Sequence, residues 1–286
     1  MDSLDRTSGE LLWEKSVEVP ASETPHKMNS FATPTCATDG EIVVAFFGPG
    51  GLHAYDLEGK ELWNKKLGAF PGPWGVAASP IIDGDLVTPI FIETGERREL
   101  VLNGEFGVTA YDPATGTELW FCKGFNGRGA PVPDYAHGQL YVVNGKPGDT
   151  YVVKPGGSGD VTSSHMVWNA RRKGGRDLPS PVVVGDFVMI SSMSGILSAY
   201  DAKTGETWYS ERLDAPISAS PLVANGLVYF QAENGEVIVV KPGKTLDIVA
   251  RNSVGADSDE IFRATLAPIR GQLFSRSGNA VYCIGK

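Results

Sequence analysis

"AYDPATGTELW" occupies residues 110–120, and its skeleton is Asp, three residues, Gly, three residues, Trp. The same skeleton opens the chain as "LDRTSGELLW" (4–13). It returns as "AYDLEGKELW" (54–63), one residue shorter, and as "AYDAKTGETWY" (199–209), with Tyr209 where Trp would fall. The residues before the Asp alternate or run apolar, as a strand does. An Asp at the first position of a turn accepts bonds from backbone N–H groups two and three residues on. Gly four residues later supplies the positive φ of a bulged hairpin loop. Each copy therefore reads as a β-hairpin whose last strand carries a large ring to bury. Asp112, Gly116 and Trp120 define the unit; Trp13, Trp63, Asp201 and Gly205 hold equivalent places.

A second phrase alternates with the first: a small residue, Pro, a short apolar run, then a turn. "ASPIIDGDLV", "PSPVVVGDFVMIS" and "ASPLVANGLVYFQ" are examples, each a further hairpin with Gly in or beside its turn. Together the two phrases make a four-stranded unit. The prolines that begin these units (Pro34, Pro80, Pro89, Pro133, Pro181, Pro221, Pro268) are spaced by 46, 9, 44, 48, 40 and 47 residues. A repeat of about 40–50 residues with four strands predicts the blades of an all-β propeller. One closed domain over residues 1–286 is expected.

Composition agrees. The 35 glycines and 19 prolines among 286 residues suit a chain of many tight turns. No segment has a sustained helical period, and no apolar run is long enough to span a membrane. A formal charge of −9 without a basic stripe argues against nucleic acid as a partner. Cys36, Cys122 and Cys283 form no disulfide framework, and "MDSLDRTSG" does not read as a signal peptide.

Two irregularities carry expectations. The last unit, "LAPIRGQLFSRSGNAVYCIGK", holds three strands. The strand near Leu11–Glu14 is therefore expected to complete it by pairing near Ala280–Ile284. Between Pro80 and Pro89 the rhythm breaks, leaving six complete blades plus a rudimentary strand around 77–87. Were a segment missing near Val87–Thr88, the count would be seven.

The "A-x-D-x-x-T-G-x-x-x-W" and "S-P-x-x-x-D-G" phrases resemble the pyrroloquinoline-quinone (PQQ) type propeller repeat over nearly the whole chain. That repeat is found in quinoprotein alcohol dehydrogenases. It also occurs in non-enzymatic propellers such as the lipoprotein subunit of the outer-membrane barrel-assembly machinery, and in exported bacterial propellers of unknown role, which this wording resembles most. The resemblance implies export, to the periplasm or beyond. The enzymes stack PQQ between a Trp and a disulfide of adjacent cysteines and hold Ca²⁺ with Glu, Asn and Asp. This sequence has no adjacent cysteine pair, so no cofactor is expected, with PQQ the alternative to test.

Other chemistry is thin. "PGKT" (242–245) has Ile238 where a phosphate loop needs Gly. Asp257, Asp259 and Glu260 lack the Gly and distal Glu of a calcium-hand loop. His26, His53, His137 and His165 show no metal spacing, and no metal site is expected. Position remains. The loops that lead into the innermost strands converge on one funnel in a propeller. They bring His26, Lys27, Asn29, Trp74, Asn126, Arg128, Arg171, Arg176, Asp177, Glu260 and Arg263. A concave rim with an aromatic ring and several guanidiniums suits a small anionic ligand, an acidic oligosaccharide or a protein segment. Alternatively Arg176, Asp177, Glu260 and Arg263 pair among themselves. The functional expectation is a non-catalytic ligand- or protein-binding scaffold with an Arg-rich funnel. The alternative is an enzyme in that funnel, either a quinoprotein remnant or a hydrolase or lyase on an anionic sugar.

Overall fold

The structure, a computed structural model, describes residues 1–19, 34–66, 81–83, 86–88, 91–94, 97–104, 106–113, 115, 117–127, 129, 131–144, 148–172 and 178–285. The chain forms two compact units, residues 1–91 and 92–286. It is nearly all β, built from six propeller blades of antiparallel strands in chain order.

In the first unit, the first blade contains Ala37–Thr38, Ile42–Phe46, Leu52–Asp56 and Glu61–Lys65. Two hairpins accompany it, Asp2–Leu4 with Leu11–Glu14 and Ile81–Asp83 with Leu86–Thr88. In the second unit, the second blade runs from Phe91–Thr94 through Arg97–Asn103 and Gly107–Tyr111 to Glu118–Lys123. The third holds Asp134–Ala136, Gln139–Asn144, Asp149–Val153 and Met166–Ala170. The fourth holds Val182–Val184, Phe187–Ser191, Ile196–Asp201 and Thr207–Arg212. The fifth holds Leu222–Ala224, Leu227–Gln231, Glu236–Lys241 and Asp247–Ser253, and the sixth has three strands, Ala267–Ile269, Gln272–Arg276 and Val281–Ile284. The core lies between blades: Val188, Ile190 and Tyr200 of the fourth meet Tyr141, Val152 and Trp168 of the third, and Leu197 and Ala199 meet Phe230 and Ile238 of the fifth.

The opening phrase is the hairpin of third and fourth strands, and its turn behaves as its chemistry requires. Asp201 Oδ1 accepts from Lys203 N (3.0 Å) and Thr204 N (2.8 Å), and Gly205 has φ +73°. Asp5 does the same with Thr7 N and Ser8 N, ahead of Gly9 at φ +75°. Asp112 Oδ1 accepts from Thr115 N; Gly116 lies outside the described residues. A β-bulge recurs one place before the Asp: at Ser3/Leu4, Ala54/Tyr55, Ala110/Tyr111 and Ala199/Tyr200. The cross-strand partner of the residue before the bulge is Trp13, Trp63, Trp120 or Tyr209 respectively.

The ring explains why the phrase repeats. Trp168, on the outer strand of the third blade, donates its indole N–H to Ala202 O at 3.0 Å and tilts by 35° over Tyr200, centroids 6.2 Å apart. Its face covers Gly205, where a Cβ would stand 2.6 Å from the ring. Within the first unit Trp13 repeats this contact: indole N–H to Leu57 O at 2.9 Å, Tyr55 at 6.2 Å and 35°, and Gly59 beneath it with 2.7 Å for a Cβ. The Gly thus serves two ends, a left-handed turn and a bare seat for the preceding outer strand's indole.

Trp120 takes another partner. The connection after Asp149–Val153 carries "KPGGSGDVTSSH" in place of an Asp turn. Its Gly159–Asp160 pairs parallel with Trp120–Phe121, and the one-turn helix Thr162–His165 follows. The fully buried Trp120 donates instead to Glu99 Oε2 at 2.8 Å; Glu99, also buried, is held by Arg97 Nε at 2.9 Å.

Two expectations are corrected. Leu11–Glu14 does not pair near Ala280–Ile284; it pairs with Asp2–Leu4, with Asp2↔Glu14, Ser3↔Trp13 and Leu4↔Leu11 in register. The Asp5–Gly9 turn closes that hairpin locally, and short loops cost less entropy than joining distant chain ends. The leftover between Pro80 and Pro89 is also more than one strand, because Ile81–Asp83 pairs with Leu86–Thr88, the strand that contains Val87 and Thr88.

Gly205→Ala is expected to cost about 1–3 kcal/mol from strained backbone alone, and Trp168→Ala about 3–5 kcal/mol. Denaturant unfolding of both single variants and the double variant checks the contact: with the ring gone, the Gly205→Ala penalty should shrink by about 0.5–3 kcal/mol, the coupling range of touching residues.

Candidate functional site

The loops that enter the first strands of the second unit's blades are tied in series. A residue before proline is held extended, which turns its N–H sideways. Val132 N donates to Ser180 Oγ at 3.0 Å, and Ser180 N donates to Ser220 Oγ at 3.0 Å. The small residue of the second phrase is therefore a hydroxyl link from one blade to the next. At the same end, Asn144 donates to Asn103 Oδ1 (2.9 Å) and Gly104 O (2.8 Å), and Asn103 donates to Pro131 O (2.9 Å). Asp149 accepts from Asn126 Nδ2 and, at 2.9 Å, from the N–H of Arg172, whose side chain is buried. Phe125 stacks on Tyr151 at 4.0 Å and 9°, and Phe125 N donates to Phe106 O.

Two charged rim groups are engaged within the protein, while Arg171, Asp257 and Asp259 are exposed. Arg263 Nε meets Glu233 Oε1 at 3.4 Å, and Glu233 also accepts from Ser218 Oγ. Glu260 accepts from Ser277 Oγ and, at 2.5 Å, from Tyr282 OH. Those two hydroxyl bonds, Ser277 first, hold the Glu260 carboxyl below its ordinary range. The bond to Glu260 pushes the Tyr282 phenol up to about 12. Glu260 and Arg263 thus reach the same end of neighbouring blades but take separate partners.

His26, Lys27, Asn29, Trp74, Arg128, Arg176 and Asp177 lie outside the described residues. Glu233, Ser218, Ser277 and Asp149 escaped the sequence reading. Glu233, Ser277 and Asp149 sit in or beside turns between second and third strands, and Ser218 is an uncharged member of its loop. Those turns share the blade end with the loops that were read.

Apolar side chains face solvent at this end beside exposed Asn126, Arg171, Asp214, Asp257 and Asp259. Phe106, Val132 and Leu178 are exposed on successive loops, and Ile261 is exposed beside Glu260. Trp120 and Trp168 are enclosed between strands with their indole N–H groups bonded, and Cys122 is buried. Among the described residues, no three His, Cys, Asp or Glu side chains gather to hold a metal ion, and no helix is long and apolar enough to cross a membrane.

The sequence matches the family model for outer membrane protein assembly factor BamB over residues 2–103 and 104–247. The assembly factor BamB of Burkholderia pseudomallei (strain K96243) is 30% identical over 116 residues, 40% of this chain and 26% of that protein. The matched segment spans about a quarter of that relative's length. The crystal structure of BamB from Moraxella catarrhalis aligns with a TM-score of 0.67 at 16% identity, covering 88% of this chain and 81% of that one. The computationally designed Ika8 protein aligns with a TM-score of 0.54 at 15% identity, over 88% and 70% of the two chains. At these identities the structural likenesses speak for the fold.

A depressed carboxyl stabilises the fold above its ordinary titration range, and that contribution is lost as pH falls through the folded value. Tyr282→Phe removes one of the two donors, so the Glu260 titration followed by NMR should move up toward the ordinary carboxyl range. An unmoved titration would mean that the phenol does not hold this carboxylate.

Proposed function

The chain belongs to the family of outer membrane protein assembly factor BamB, and on that premise we propose that it is a non-catalytic, protein-binding propeller serving outer membrane protein assembly from the exported side of the membrane. The observation that carries this reading is the character of the loop end of the second unit. Hydrogen bonds through Ser180, Ser220 and Asn103 tie its loops from blade to blade, and Phe106, Val132 and Leu178 face solvent on that frame among exposed polar residues. Exposed apolar side chains on a rigid frame suit a protein surface. A small polar ligand would instead call for convergent unpaired polar groups. The guanidinium of Arg263 is balanced by Glu233, so the rim contributes less net positive charge than its sequence suggests.

The test is capture of barrel-assembly complex purified without its own BamB subunit. Leu178→Asp and Val132→Asp should each weaken capture about tenfold, equal to 1.4 kcal/mol, with unchanged thermal unfolding. Equal capture by both variants would overturn the assignment of this surface. Dye-linked alcohol oxidation after loading with PQQ and Ca²⁺ would overturn the non-catalytic reading.

A further inference from the structure

The sequence holds five Asn–Gly steps: Asn103–Gly104, Asn126–Gly127, Asn144–Gly145, Asn225–Gly226 and Asn234–Gly235. Such a step carries its own chemistry. The backbone nitrogen of the Gly is one ring closure from the side-chain carbonyl carbon of the Asn, and Gly has no Cβ to obstruct the approach. The step reacts only where the side-chain amide and that N–H are free to move together, and the fold treats the five differently.

Four are held through their side chains. Asn103 donates to Pro131 O and Val143 O and accepts from Asn144, and Gly104 N donates to Gly107 O at 2.8 Å. Asn144 is fully buried and donates to Asn103 Oδ1 and Gly104 O. Asn126 donates to Asp149 Oδ2. Asn234 Oδ1 accepts from Glu236 N at 3.1 Å, and Gly235 N donates to Ala232 O at 3.1 Å. The Phe262 ring lies against Gly235, 2.9 Å from where a Cβ would stand. The fifth step is open. Asn225 and Gly226 form the two-residue turn between Leu222–Ala224 and Leu227–Gln231, closed by the pair Ala224↔Leu227. Both are exposed, at φ +51° and +73°, and a Cβ on Gly226 would meet nothing within 4 Å. Neither the Asn225 amide nor the Gly226 N–H has a hydrogen-bond partner among the described residues.

The same turn in other blades shows that the fold does not require Asn there. His137–Gly138 occupies it at φ +52° and +69°, and Arg270–Gly271 at +47° and +80°. Of these three side chains only that of Asn carries a carbonyl group.

We propose that Asn225 is a site of spontaneous deamidation. The Gly226 nitrogen gives its proton to solvent base and attacks Asn225 Cγ. The N–Cγ bond forms, the Cγ–Nδ2 bond breaks, and the amide leaves as ammonia after regaining a proton. Water then opens the succinimide at either carbonyl, leaving Asp or isoaspartate. Asp tolerates positive φ, so that product keeps the turn. Isoaspartate puts an extra carbon into the main chain of a two-residue turn, whose length sets the register of the strands it joins. This turn lies at the blade end away from the loops that enter the first strands, so the new carboxylate appears far from the Ser180 to Ser220 link.

The test is peptide mapping of the folded full chain during incubation at mildly alkaline pH. The mass gain of an amide-to-acid change, with isoaspartate, should appear in the Asn225 peptide before the peptides of the other four steps. In chain unfolded by denaturant, where the holding bonds are gone, that order should be lost. Asn225→His, the residue that the equivalent turn of the third blade carries, should remove the early product with unchanged circular dichroism. Earlier reaction at any of the other four steps overturns the proposal, as does one common rate for all five in the folded chain. An Asn225 that stays intact in folded protein while the unfolded chain reacts overturns it equally.

Discussion

An indole lying on a bare glycine is the contact from which the repeat takes its form. A Cβ at Gly59 or Gly205 would stand 2.7 or 2.6 Å from the ring above it, closer than unbonded carbon atoms approach. The turn must therefore be glycine for reasons of backbone and packing together. An aromatic side chain buries roughly 150–250 Å², worth about 4–6 kcal/mol at about 25 cal/mol per Å². The indole N–H cannot be buried without an acceptor. It finds one in the carbonyl one place beyond the Asp, at Leu57 and at Ala202. Asp, Gly and Trp recur together because the Asp sets the turn that presents both the seat and the acceptor.

The variations obey the same constraint. Where the next connection is a longer loop without the Asp turn, Trp120 is still fully buried, and its N–H goes to Glu99. A buried carboxylate needs its own compensation, and Arg97 supplies it. The fifth blade has Ala250 at the ring position, across from Val239. There the contact with the sixth blade is made by Val237, Val239 and Leu266. Removing the ring removes the need for a glycine seat beneath it.

Local chemistry was legible in the sequence and distant partnership was not. The Asp bonds, the positive φ at Gly9, Gly59 and Gly205, and the order of strands follow from residues within about ten positions of one another. The destination of each ring depends on residues some 34–44 positions away, as Trp168 with Ala202 and Trp13 with Leu57 demonstrate. The misplaced partner of Leu11–Glu14 came from weighing a distant pairing above a hairpin whose Asp5 turn was in plain view. At the rim, Arg263 and Glu260 were found from their loops. Their partners Glu233, Ser277 and Tyr282 sit in turns and strands outside those loops, so the charges were counted without their counter-charges.

That pairing bears on how an acidic chain can present a binding face. Free guanidiniums on a body of net charge −9 would attract partners through a field that salt screens over about 8–10 Å. Arg263 facing Glu233, and Glu260 held by two hydroxyls, reduce that field where they stand. The blade-to-blade bonds of Ser180, Ser220, Asn103 and Asn144 do the same for the polar groups of the loops. Outside that framework Phe106, Val132 and Leu178 face solvent beside exposed Arg171, Asp214, Asp257 and Asp259. Apolar area of this kind responds little to salt, so a partner held there would behave differently from one drawn by free guanidiniums.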